Sequence, residues 1–149
     1  MDVSGTIDAI LSRKGSEIHT ISPDATVLEA VELMAAKNVG ALLVVQGGDL
    51  VGLISERDYT RKVVLHGKRS RETPVREIMS TDLRVIRPNE SVETCLRMMT
   101  ENRIRHLPVV AEDRLLGVIS IGDLVKWVMA SQSATIAHLE NYISGGFTG

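Results

Sequence analysis

Apolar residues recur along this chain in two periods, and the periods alternate in the same order twice. Val27, Ala30, Val31 and Met34 follow the i, i+3, i+4, i+7 spacing of an amphipathic helix. Thr26 and Glu29 make a capping-box pair at its start. Asn38-Val39-Gly40 marks its end, with Gly40 free to take a left-handed C-cap. Residues 41–45 then form a short, wholly apolar strand, 46–49 a Gly-rich turn, and 50–54 the returning strand of a hairpin. A second helix starts at Ser55 and carries Tyr59, Val63 and Val64 towards His66-Gly67.

The same order returns 65 residues later without a gap. Pro23 meets Pro88, Val27 meets Val92, Met34 meets Met99, Leu42 meets Leu107, Gly52 meets Gly117 and Asp58 meets Asp123. The second copy predicts a helix from Ser91, a strand over 107–110, a turn at Glu112-Asp113, a strand over 115–119 and a helix from Ser120 to about Ala130. Two copies of this length are one small domain duplicated, not a solenoid. The organisation expected is a first repeat over 5–67, including a lead-in at Ile7, Ile10 and Leu11, and a second over 74–130. The polar stretch 67–74 joins them and Val75–Met79 forms a short turn of helix. A helical tail over 131–149 carries Ile136, Leu139, Tyr142 and Ile143 on one face, to be covered by the body or by a partner subunit. The fold class is mixed α/β, with two pseudo-symmetric halves sharing an interface and two equivalent clefts.

Composition narrows the function classes. Aromatics are few: Trp127, Tyr59, Tyr142 and Phe147. That argues against stacking platforms for single-stranded nucleic acid. A net charge of −2 argues against a general polyanion binder, while leaving room for a local basic cleft. Cys95 is the only cysteine, so no intramolecular disulfide can form, which points to an intracellular, cytoplasmic setting. The N-terminal residues do not read as a signal peptide, and no apolar run is long enough to span a membrane.

Enzyme signatures are missing: there is no HExxH, CxxC, GxSxG, P-loop or GxGxxG. The four histidines lack ligand spacing, and Cys95 falls on the apolar face of a helix, as a small core residue. No catalytic residue and no metal site is expected. Two features remain. Gly-apolar-apolar-Ser-x-x-Asp occurs in both copies, at Gly52–Asp58 and Gly117–Asp123. Its Ser caps a helix and its Asp favours the helix N-terminus. The same carboxylate, beside an open cleft, can also accept both hydroxyls of a ribose. The second feature is Arg103-Ile104-Arg105-His106, which stands where the first copy has Asn38-Val39-Gly40-Ala41. Cations suit a helix C-terminus, and arginine at such a turn can equally bind phosphate bidentately.

The doubled pattern, with its apolar-Pro-Val-Val strand at 107–110 and its two Gly-x-x-Ser-x-x-Asp motifs, resembles a tandem pair of cystathionine-β-synthase (CBS) domains, a Bateman module. The stretches 55–63 and 139–143 further resemble the stand-alone branch of that family. The resemblance implies a β-α-β-β-α unit in each half, sheets packed face to face, and adenosine-nucleotide clefts between them. It also implies side-by-side homodimers that signal to a regulated protein. Carried over, Ser55, Arg57 and Asp58 would serve the ribose side of the first cleft. Arg84, Ile104, Arg105 and His106 would line its base and phosphate region, with Arg76 approaching the phosphate. Ser120 and Asp123 would serve the second cleft, with Lys14, His19 and Val39. Gly40-Ala41 departs from the family pattern and leaves that second cleft poor in cations. The function implied is a non-enzymatic sensor of AMP, ADP, ATP or NAD(H), and so of adenylate or redox state. The alternative is a structural dimerisation or adaptor protein with vestigial clefts. Membrane and nucleic-acid partners are not expected.

Overall fold

A computed structural model describes residues 4–15, 17–132 and 140; the proposed stripe of Ile136, Leu139, Tyr142 and Ile143 lies outside the described residues. The first half contains α1 (Ile7–Lys14), β1 (Thr20–Ile21), α2 (Val27–Lys37), β2 (Ala41–Gln46), β3 (Asp49–Ser55) and α3 (Glu56–Asp58), which runs on into a π-helical turn, Tyr59–Val64. After a 3₁₀ turn at Val75–Glu77 come α4 (Val92–Asn102), β4 (His106–Ala111), β5 (Arg114–Ser120) and a helix over 121–132, here α5.

The two hairpins are copies in register as well as in sequence. Ala41 pairs with Ser55 and His106 with Ser120, and each hairpin has a bulge at the equivalent step, Val44/Val45 and Val109/Val110. Both turns place two consecutive residues at positive φ, Gly47-Gly48 and Glu112-Asp113, as a two-residue hairpin loop of primed type requires. β1 adds a parallel strand beside β2, whereas its counterpart in the second half is reduced to one parallel bridge, Ile86 to Val109. β2 is apolar from Ala41 to Val45, and both its faces are buried over Ala41–Val44. Leu42 and Val44 join the core under α2, and Leu43 joins the cluster between the sheets, which also takes Leu115 and Val118 of β5.

Helix starts match the sequence reading. Thr26 Oγ1 accepts from the Glu29 N–H at 3.1 Å, completing the capping box, and Ser91 Oγ accepts from the Thr94 N–H at 3.1 Å. Two expectations are corrected. The left-handed residue that ends α2 is Asn38 (φ 54), not Gly40, and Arg103 (φ 54) takes the same place after α4. Asn tolerates that region better than most residues, so the helix stops earlier than the glycine suggested. The helix from Ser55 also widens: the Leu65 N–H reaches the Thr60 carbonyl, a π-type bond. The Thr60 hydroxyl bonds the Glu56 carbonyl at 3.1 Å and competes with the regular ladder there.

The lead-in segments cross over. Ile7 and Ile10 of α1 are buried in the core of the second repeat, with Val92, Met99 and Leu107, while Val75 and Ile78 are buried in the core of the first. Backbone bonds repeat the exchange symmetrically. The N–H groups of Ile7 and Asp8 donate to the carbonyls of Glu90 and Pro88, and those of Val75 and Arg76 to Ala25 and Pro23. Two equivalent glycines make room for it. A Cβ at Gly52 would meet Met79 Sδ at 2.6 Å, and one at Gly117 would meet Leu11 at 3.1 Å.

Candidate functional site: two clefts between the repeats

Each hairpin ends at a serine whose next helical turn carries the aspartate, so strand end, helix N-terminus and carboxylate converge twice. The larger cavity, about 500 Å³, lies against Ser55 and Asp58; the smaller, about 330 Å³, lies against Ser120 and Asp123. Gly40 and His106 line both. They follow the left-handed ends of α2 and α4, where each chain turns from helix into strand at the wall between the clefts.

The structure brings Ser55, Arg57 and Asp58 together in the larger cleft with Arg84, Ile104, Arg105 and His106. Lys14, His19, Val39, Ser120 and Asp123 share the smaller one. Arg76 does not join them. It lines neither cleft: backbone bonds tie Val75 and Arg76 to Ala25 and Pro23, and its exposed guanidinium forms an ion pair with Asp24. The smaller cleft is also less bare of cations than Gly40-Ala41 suggested, because Lys126 joins Lys14.

Four further cations escaped the sequence reading as site residues: Arg61, Lys62 and Arg103 in the larger cleft, and Lys126 in the smaller. Lys62 was legible in principle, one helical turn from Asp58 at i+4, and Arg103 stands beside Arg105. The clefts differ in charge. The larger sets six cations, Arg57, Arg61, Lys62, Arg84, Arg103 and Arg105, against Glu56, Asp58 and Asp82; the smaller balances Lys14 and Lys126 against Glu17 and Asp123.

Local electrostatics follow from burial and these neighbours. Burial pushes the Asp123 carboxyl up, but hydrogen bonds from Lys14 (2.8 Å) and Ser120 outweigh it and hold the group below its ordinary value. Burial, and then the charges of Lys14 and Arg105, push His106 down, only partly opposed by Asp123 and Asp58. Burial and the nearby Glu90 carboxylate push the Cys95 thiol up to about 11, so it stays protonated as a core side chain. Among the described residues no group of three or more His, Cys, Asp or Glu is arranged to hold a metal ion, and no helix is long and apolar enough to cross a membrane.

A histidine held below its ordinary value of 6.5 binds protons more readily unfolded than folded. Stability therefore falls as pH drops through the unfolded value, and the loss is complete below the folded one. His106→Gln is expected to flatten the stability profile between about pH 7 and 5, measured by urea unfolding. The depressed Asp123 acts in a separate window: its stabilisation is present above its unfolded value and is lost only below about pH 4. An unchanged slope in His106→Gln would take the histidine out of the account.

Known proteins share this arrangement. The family model described as CBS domain matches the chain twice, over residues 9–65 and 75–130. The chain is 40% identical over 119 residues to CBS domain-containing protein YhcV of Bacillus subtilis, covering 80% of this chain and 84% of that one. It is 38% identical over 153 residues to the mitochondrial CBS domain-containing protein CBSX3 of Arabidopsis thaliana, covering 97% and 74%. A solved CBS-domain protein of Burkholderia ambifaria MC40-6, whose name assigns it to signal transduction, superposes with a TM-score of 0.83 at 47% identity, over 86% of this chain and 96% of that one. With two like halves, two equivalent clefts and a doubled family match, this chain belongs to the CBS-domain family, as a tandem CBS pair.

Proposed function

We propose that the protein is a non-enzymatic sensor of adenosine nucleotides, which bind between its repeats, the Asp58 cleft being the stronger site. One observation carries this reading. A helix-start carboxylate and an excess of cations face a single cavity of about 500 Å³, a size that suits a nucleotide. Asp58 and Ser55 would take the ribose, and Arg105, with Arg84 in the same cleft, the phosphate. AMP, ADP, ATP and NAD(H) all carry these groups. Because each cleft is walled by both repeats, a bound ligand would favour one mutual orientation of the halves and so pass its presence to a partner protein. Mass spectrometry of small molecules released from purified, denatured protein tests the reading. An adenosine nucleotide near one per chain is expected, or stoichiometric uptake of added AMP. Neither result would leave the adaptor reading, in which the Ser-x-x-Asp motifs are helix caps only.

The signalling route needs a homodimer in the cytoplasm. Its support is a pair of exposed apolar residues at equivalent places in the two copies, Val64 and Met129, flanked by Leu65 and Val125. Light scattering at micromolar concentration should return twice the chain mass; a monomer throughout would remove this route.

A further inference from the structure

The Asp58 side chain is 11% exposed, and the protein already engages both of its carboxylate oxygens. Oδ2 accepts from the Ser55 N–H and the Ser55 hydroxyl, each at 3.0 Å. Oδ1 forms an ion pair with Lys62 Nζ at 3.0 Å and accepts from the Ser80 hydroxyl at 3.4 Å. A carboxylate offers about four acceptor positions, and three hydrogen bonds with one ion pair already crowd them. Lys62 is also fastened elsewhere, donating to the Ile78 carbonyl at 2.9 Å. The second copy repeats the device with an unrelated residue. Lys14 Nζ sits 2.8 Å from Asp123 Oδ2 and 2.8 Å from the Val118 carbonyl. Neither lysine follows the repeat: Lys62 aligns with Trp127, and Lys14, in the register that the lead-in backbone bonds set, corresponds to Asp82. Both aspartates have thus acquired a lysine counterion from a non-equivalent position.

A ribose diol brings two O–H donors to Asp58. It can be accepted only if a resident donor leaves, and Lys62, half-exposed and lining the cavity, is the one with room to move. Its ammonium would then stand in a cleft that already holds five arginines, where it gains nothing without a new anion. A phosphate on the same ligand supplies that anion; a neutral nucleoside does not.

We propose that Lys62 is a specificity-determining residue, a built-in counterion that makes diol binding at Asp58 conditional on an anionic group in the same ligand. This rests on the nucleotide reading of the cleft. For a nucleotide, Lys62 exchanges one anion for another. For a nucleoside, it is a competitor with no compensation.

Calorimetric titration with AMP and with adenosine tests the assignment, in an Asp123→Ala background so that the larger cleft alone reports. Lys62→Met should bind adenosine about tenfold more tightly, while AMP affinity stays level or falls, so the preference for AMP drops by about tenfold or more. Lys62→Arg, which keeps the cation, should retain the preference. Thermal unfolding of each variant confirms that the fold is intact. AMP binding with an unchanged AMP-to-adenosine ratio in Lys62→Met would overturn the role of Lys62 while leaving the nucleotide reading standing. No binding of either ligand by any of the proteins would remove both.

Discussion

Asp58→Ala is expected to lower the affinity of the larger cleft for AMP by at least about tenfold, because charge-assisted bonds to both ribose hydroxyls, each about 1.5–3 kcal/mol, are lost. The argument runs from geometry. Ser55 closes β3 and opens α3, which sets Asp58 in the first helical turn facing the cavity. The same carboxylate caps the helix by accepting from the Ser55 N–H, so alanine also weakens a cap, at about 1 kcal/mol of stability. Binding and folding are therefore read separately, by calorimetry and by thermal unfolding. Arg105→Ala sharpens the result: AMP should weaken much more than adenosine, since the arginine is assigned to phosphate. Asp123→Ala should leave AMP binding at the larger cleft nearly intact. Equal losses for AMP and adenosine in Arg105→Ala would show that the arginine supports the fold and not the ligand. Unchanged AMP affinity in Asp58→Ala would reduce the Ser-x-x-Asp motif to a helix cap.

Ile78→Ala is expected to destabilise the first repeat by about 2–5 kcal/mol, although Ile78 lies at the start of the second repeat in the chain. Its side chain is 1% exposed among Val27, Met34, Leu42 and Ile54, so truncation leaves a cavity under α2 and the first hairpin. Ile7→Ala is the reciprocal variant: Ile7 is fully buried among Val92, Met99, Leu107 and Ile119 and should weaken the second repeat by a similar amount. Amide exchange resolves the two. Lost protection should concentrate in β2 and β3 for Ile78→Ala, and in β4 and β5 for Ile7→Ala. The opposite distribution would mean that each lead-in serves its own repeat and that the crossing is wrong. The crossing also bears on signalling, since each repeat's core is completed by a segment tied to the other, and a shift of one half strains its partner.

Much of this molecule could be read from residue order. The repeat, the two hairpins and the starts of α2, α4 and both post-hairpin helices follow from periodicity and from Thr26, Ser55, Ser91 and Ser120 as caps. So does the gathering of Ser55, Asp58, Arg84, Arg105 and His106 around one cavity, through the family resemblance. Position differs from residue order where neighbours in space decide. The crossed 3₁₀ turn carries Arg76 to Asp24, outside the lining of either cleft. Gly40 looked like the helix stop, yet Asn38 reaches the left-handed region first and leaves Gly40 to line both clefts.

Helix caps, turn pairs and apolar periods act over a few residues, so their outcome is written locally and survives in any context the chain meets. The exchange of lead-ins, the lysines on Asp58 and Asp123, and the burial of His106 between the clefts depend on segments far apart along the chain. Lys14 and Asp123 are separated by 109 residues and meet only because α1 packs in the second repeat. No local pattern encodes that meeting; it exists because burying Ile7 and Ile10 across the interface brings the end of α1 to the second cleft, and the ion pair follows from the packing.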